Sequence, residues 1–207
     1  MQGTRTFDRK RLIIFIVLPA VLLAALIGLD QITKFYAAQD KVNSTVIENF
    51  FYLDYSTNSG AGFSLFADKE WGQLLFKIIT PVALIGFFAF YFFALRKSYK
   101  WLAYSITLII SGTIGNFIDR IINSEVVDFL SFHFWSYRFP TFNVADVCLT
   151  VGVIMLIAHF FFFDENAIVK KKSDKENAVN DDNAESADMG DPETESSETD
   201  VNKDENL

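Results

Sequence analysis

Four apolar runs divide the chain, at residues 12–29, 78–95, 101–118 and 147–163. The first two contain no charged residue, and Lys77 at the edge of the second is placed to snorkel its amine to an interface. The third carries Ser, Thr, two Gly and an Asn among its apolar residues. Each run is close to the roughly 20 residues that a helix needs to cross the hydrocarbon core of a bilayer. The pattern predicts an all-α polytopic membrane protein with four transmembrane helices. Arg9, Lys10 and Arg11 precede the first run as they would in a secretory signal peptide. That run is longer than a typical signal-peptide core and no clean small-x-small site follows, so a retained helix is expected.

Basic residues cluster at three places: Arg5, Arg9, Lys10 and Arg11 before the first helix, Arg96, Lys97 and Lys100 between the second and third, and Lys170, Lys171 and Lys172 after the fourth. A chain that crosses four times puts all three clusters on one side. The positive-inside rule makes that side, and both termini, cytoplasmic. Segments 31–71 and 119–145 then face outward. The first of them, with "STVIENFFYLDYSTNSGAGFSLF", has β-branched and aromatic runs around a Gly-bearing turn and predicts a small extracytoplasmic β-sheet at the membrane surface.

Composition refines this division. The chain is 51% hydrophobic with 23 Phe, yet its formal charge is −8. From Asp164 onward there are 15 acidic and 5 basic residues, against 11 acidic and 13 basic in the 163 residues before. The acidity belongs to a tail, 166–207, whose polar composition predicts disorder. The expected organisation is a cytoplasmic N-terminus at 1–11, a membrane domain at 12–165 and this tail. Cys148 is the sole cysteine, which excludes a disulfide framework and a Cys-based metal site, and His133 and His159 lack metal-ligand spacing.

The chemistry lies in polar residues at the outer ends of the helices. Asp30 and Lys34 sit four apart at the first. Asn116, Asp119 and Arg120 end the third. Asn143 and Asp146 open the fourth, with Asn58 and Asp128 in the outer segments. Read singly, each is an interfacial cap or anchor. Read together, ionisable groups beside hydrocarbon are candidates for function. The chain has no Ser-His-Asp pattern, Cys-His pair, HExxH or phosphate-binding Gly loop, which leaves carboxylate with carboxylate as the acid–base pair. Two aspartates held close share a proton, so one can act as base and the other as acid. Asp128 and Asp146 have a spacing that permits this without requiring it. A transporter subunit relaying protons through buried carboxylates, and a structural anchor whose tail recruits a partner, are the competing readings.

Five blocks occur in order: "DQITK" from Asp30, "NSGAGFSLF" from Asn58, "GNFIDR" from Gly115, "VVDF" from Val126 and "FNVAD" from Phe142. On these blocks the chain resembles lipoprotein signal peptidase, the bacterial type II signal peptidase, over about residues 10–165. The resemblance implies a membrane aspartic endopeptidase that cleaves a prolipoprotein before its diacylglyceryl-modified cysteine. It implies Asp128 and Asp146 as the catalytic dyad. Asn58, Gly60, Asn116, Arg120 and Asn143 would shape the site and bind substrate, and Asp30, Lys34 and Asp119 would support the fold. It places the enzyme in the bacterial cytoplasmic membrane with its site at the outer face. The expected partners are the precursor and membrane lipids, with no cofactor, metal or nucleic acid, and a monomeric state. Gly62 stands where the family's loop often has a second Ala, and the long acidic tail is a second departure.

Overall fold

The computed structural model describes residues 9–60 and 70–163. One compact unit, Met1–Phe160, holds the architecture below, and the second, Phe161–Leu207, is described only through Phe163. Gly62 and the acidic tail lie outside the described residues.

The apolar runs form helices α1 (Arg9–Gln39), α2 (Glu70–Lys97), α3 (Lys100–Asn123) and α4 (Val144–Ala158), and the stretches Arg9–Gln39, Leu74–Lys97, Lys100–Asn123 and Val144–Phe162 are long and apolar enough to cross a membrane. Helix α3 is the hub. Of its most apolar window 61% is buried, against 11%, 6% and 22% for the windows of the first, second and fourth spans. Large apolar side chains such as Val21, Ile85 and Ile154 are exposed on the other helices, as a lipid-facing surface requires. Glycines let the backbones approach. A Cβ on Gly112 would meet Ala145 O and Leu149, and one on Gly152 would lie 2.9 Å from Ser105 O. Such small-residue contacts replace the hydrophobic driving force that lipid removes.

Helix α1 is interrupted by a π-helical turn at Ile13–Val17. Pro19 explains part of it, since proline has no N–H to offer the carbonyl four residues back, which is that of Phe15. The Tyr91 hydroxyl donates to Phe15 O instead, and that of Tyr104 donates to Ile14 O at 3.1 Å. Arg11 donates to Leu95 O at 3.0 Å and to Ser98 Oγ at 2.6 Å, fastening α1 to the tight turn between α2 and α3.

Segments 31–71 and 119–145 both contribute to one antiparallel sheet of order β1-β2-β3-β4: β1 (Asn43–Ile47), β2 (Phe51–Asn58), β3 (Val126–Phe134) and β4 (Tyr137–Arg138). The strands expected in 31–71 are present. Those of the second segment were not expected, although "VVDFLSFHF" is rich in the β-branched and aromatic residues of a strand. Because β1 and β2 follow α1, and β3 and β4 follow α3, the sheet lies at one end of the helices. Ala37 of α1 with Val127 and Phe129 of β3 forms the small core that seats it there. Ser124, in the left-handed conformation at φ 61°, ends α3 and turns the chain into β3.

Candidate active site

The site is where β3, the start of α4 and the sheet-side ends of α1 and α3 meet. Asp128 is in β3, paired across to Ser56 of β2, and is buried. Asn143 is the N-cap of α4 and fully buried, and Asp146 lies in that helix's first turn. Their spacing forms a capping box. Asn143 Oδ1 accepts the Asp146 N–H at 2.9 Å, and Asp146 Oδ2 accepts the Asn143 N–H at 3.2 Å. The cap therefore fixes Asp146 with a carboxylate at a helix N-terminus, where negative charge is favoured.

The same asparagine reaches the other carboxylate. Asn143 Nδ2 lies 2.7 Å from Asp128 Oδ1, with Val127 O at 3.3 Å and Asn116 Oδ1 at 3.1 Å. Asn58 also hydrogen-bonds Asp128 through its side chain. Burial, and then the neighbouring charge of Asp146, push the Asp128 carboxyl up to about 7. The donors from Asn143 and Asn58 and the charge of Lys34 oppose this and do not cancel it. A carboxyl in that range is poised to hold a proton near neutral pH.

Behind the pair is a buried ion group. Lys34 Nζ lies 2.9 Å from Asp30 Oδ2 and 2.9 Å from Asp119 Oδ2. Gln31 Nε2 donates to Asp30, Asp119 and Gly115 O. The carboxylates also hold backbone: Asp30 accepts Ala145 N–H at 2.8 Å, and Asp119 accepts Val127 N–H at 3.3 Å. Each thus ties its helix to one of the residues flanking the aspartate pair. Lys34 additionally donates to Asn116 Oδ1 at 2.9 Å, and Asn116 Nδ2 donates to Asp146 Oδ1 at 2.8 Å. Burying several ions is expensive unless all are paired and hydrogen-bonded, and here they are.

A cavity of about 970 Å³ opens beside these groups, lined by Asn58, Asn116, Arg120, Asp128 and Asp146 together with an apolar side that includes Phe139, Val147 and Val151. Arg120 stacks on Phe76 of α2 at 5.0 Å and donates to Gly60 O at 3.0 Å. Gly60 in turn donates its N–H to Asn58 Oδ1 at 2.9 Å. Every residue expected at the site is thus placed in or directly behind this region. Gln31 was not expected in the network, nor Ser56, Thr57 and Arg138 in the cavity wall. Gln31 lies inside the "DQITK" block, but no spacing rule marks a glutamine as a bridge between two carboxylates. Cys148 is buried outside the cavity wall. Among the described residues no group of three or more His, Cys, Asp and Glu is arranged to hold a metal ion.

A family model described as Signal peptidase (SPase) II matches residues 22–162. A lipoprotein signal peptidase of Geobacillus thermodenitrificans is 39% identical over 146 residues, covering 69% of this chain and 89% of that protein. Two solved structures described as a bacterial membrane enzyme, determined by the in meso method, superpose with TM-scores of 0.63 and 0.64 at 31% and 30% identity. They cover 73% and 72% of this chain and 94% and 96% of theirs.

Proposed function

Because the chain belongs to the signal peptidase II family, and so is a multi-pass bacterial membrane protease that removes signal peptides from prolipoproteins, we propose that it is an aspartic peptidase whose reacting groups are Asp128 and Asp146. Family membership disfavours the transporter and the anchor. The observation that carries the aspartic reading is the single asparagine, Asn143, hydrogen-bonded to both carboxylates beside one cavity.

In this reading Asp146 is ionised and Asp128 protonated. The scissile carbonyl accepts a hydrogen bond from the Asp128 carboxyl while Asp146 takes a proton from the attacking water. The hydroxide oxygen bonds to the carbonyl carbon as the Asp128 proton passes to the carbonyl oxygen, giving a neutral gem-diol intermediate. The C–N bond then breaks, the proton held by Asp146 passes to the leaving nitrogen, and Asp128 recovers its own proton as the carbonyl re-forms. General acid–base help of this kind contributes about 10²–10⁴ in rate. Asn58, Arg120 and Gly60 position the substrate backbone at the cavity. Asn116 and Asn143 hold the carboxylates, and Asp30, Lys34 and Asp119 hold the fold around them.

The substrate is a precursor whose cysteine already carries diacylglycerol, cut just before that cysteine. An apolar cavity wall continuous with the lipid-facing helix α4 supports this, since acyl chains there would set the depth of the bond. The enzyme acts as a monomer in the cytoplasmic membrane with the site on the outer side. The test is to incubate purified full-length protein with a precursor in lipidated and in unmodified form. Rapid cleavage of the first and far slower cleavage of the second are expected. Equal rates would remove the lipid from recognition.

A further inference from the structure

The two amides at the site have orientations that their surroundings dictate. An amide's oxygen and nitrogen are assigned by the groups they face, and two of those groups here have no choice. Lys34 is an ammonium with three donors and no acceptor, so the atom of Asn116 that lies 2.9 Å from it is the oxygen. The Asp146 backbone N–H is likewise only a donor, so the Asn143 atom 2.9 Å from it is the oxygen. Asn116 Nδ2 is thereby turned on Asp146 Oδ1 at 2.8 Å, and Asp146 Oδ2 takes the Asn143 N–H. Both oxygens of Asp146 receive N–H donors, and one of these is polarised by a buried cation on its far side. A flipped Asn116 would present two oxygens to each other at Asp146 and an NH₂ group to an ammonium.

We propose that Lys34 is a positioning residue for the reaction: by holding Asn116 Oδ1 it aims the Asn116 amide nitrogen at Asp146, which fixes Asp146 as the ionised member of the pair and leaves the shared proton on Asp128. This rests on the aspartic reading above and goes beyond it, because it assigns the two roles and names the residue that sets them. Lys34 touches neither carboxylate of the pair by a hydrogen bond among the described contacts. It acts through Asn116. The charged groups that face the pair from the elements around it are Asp30 and Lys34 of α1, Asp119 and Arg120 of α3, and Arg138 of β4, which lines the same cavity and is paired with Asp54. Among the described residues Lys34 is the cation that reaches Asp146 through a single bridging side chain. Among the described residues no cation reaches Asp128 through one bridging side chain, and the repulsion from Asp146 at Asp128 is only partly offset by the charge of Lys34.

The test is the pH dependence of turnover by the full chain on a lipidated precursor, normalised to folded protein. Lys34→Met alone leaves two buried carboxylates unpaired, so it is combined with Asp119→Asn, which keeps the local net charge unchanged, and Asp119→Asn alone is the control. Asn116→Leu is the second variant. It removes the link while leaving the Lys34–Asp30–Asp119 pairing intact, so it remains informative if the first fails to fold. A hydrogen bond to a charged group is worth about 1.5–3 kcal/mol, so its loss should move the acid limb of the profile up by about one to two pH units. Turnover lost on the acid side of the profile should return as pH is raised towards, but not past, the basic limb near 7, with KM little changed. A purely structural role would lower the yield of folded protein and leave the limb where it was. An unmoved acid limb in either folded variant overturns the proposal. Asp128→Asn and Asp146→Asn run alongside separate the two levels. If they stop cleavage while the limb stays put, only this inference fails. If either retains substantial turnover, the aspartic reading fails and takes this inference with it.

Discussion

Asn143 and Asp146 each accept the other's backbone N–H, at 2.9 and 3.2 Å. The carboxylate assigned to the chemistry is therefore also half of the device that starts α4. Its two duties separate by substitution. Asp146→Asn keeps an oxygen that can accept the Asn143 N–H, whereas Asp146→Ala removes it. Losing a helix-capping acceptor costs about 0.5–2 kcal/mol. Thermal unfolding in detergent should show a lower midpoint for the Ala variant and a midpoint near wild type for the Asn variant. Equal loss in both would mean that the cap contributes nothing.

Gly115 sits against the buried ion group, and a Cβ there would lie 2.6 Å from Asp30 Oδ2 and 3.1 Å from the Ala145 Cβ. Overpacking of this kind costs about 1–3 kcal/mol. We expect Gly115→Ala to destabilise the fold and lower turnover together, because Asp30 holds both Lys34 and the Ala145 N–H. Gly28 of the same helix α1 region that carries Asp30 has nothing within 4 Å of its Cβ position. Gly28→Ala should be neutral or slightly stabilising, as Ala is the better helix former by about 1 kcal/mol. Unfolding midpoints of the two variants check this, and similar values would contradict it.

The Asp128 carboxyl is pushed up to about 7 by burial and by the Asp146 charge. In the proposed mechanism it must be protonated to polarise the scissile carbonyl. Activity should accordingly be present below that value and fall as pH rises through about 7, the basic limb belonging to the coupled pair rather than to one residue. The pH profile of kcat on a lipidated precursor measures it. A profile still rising well above pH 8 would show that Asp128 is not the acid.

Much of this was legible in the chain because two kinds of signal are strong. Long runs free of charge announce membrane helices, and paired polar residues at their ends stand out against them. Asn143 and Asp146, one turn apart, already had the spacing of a cap. What was not legible is how separate segments meet. Asp128 and Asn143 are brought together by strand β3 returning past Phe142, whose backbone pairs with Leu130. That register depends on tertiary packing of Val127 and Phe129 against α1, which local pattern does not reveal. Asp30 and Lys34 were read as closing the first helix, but the helix continues to Gln39, so both are interior to it and face α3. The role of Gln31 depended on Asp119 arriving from a distant helix.

The three basic clusters set an orientation that reporter fusions can check. Fusions after Lys100 and after Lys172 should report the cytoplasm, and one after Asp68 should report the outside. This follows from the cost of moving Lys and Arg across the membrane. A cytoplasmic signal from the Asp68 fusion would place the sheet and the aspartate pair on the wrong side for an exported precursor.

The central claim is that Asp128 and Asp146 act as one unit, and turnover per folded molecule for Asp128→Asn, Asp146→Asn and the double variant tests it most directly. Asn preserves size and hydrogen-bonding shape at each position and removes the exchangeable proton. Groups that act together lose their effect together, so single losses do not multiply. Each single variant should lose about 10²–10⁴ or more in kcat, the double variant should be little worse than either, and all should insert and fold. Substantial turnover in either single variant, or losses that multiply in the double, would contradict the dyad.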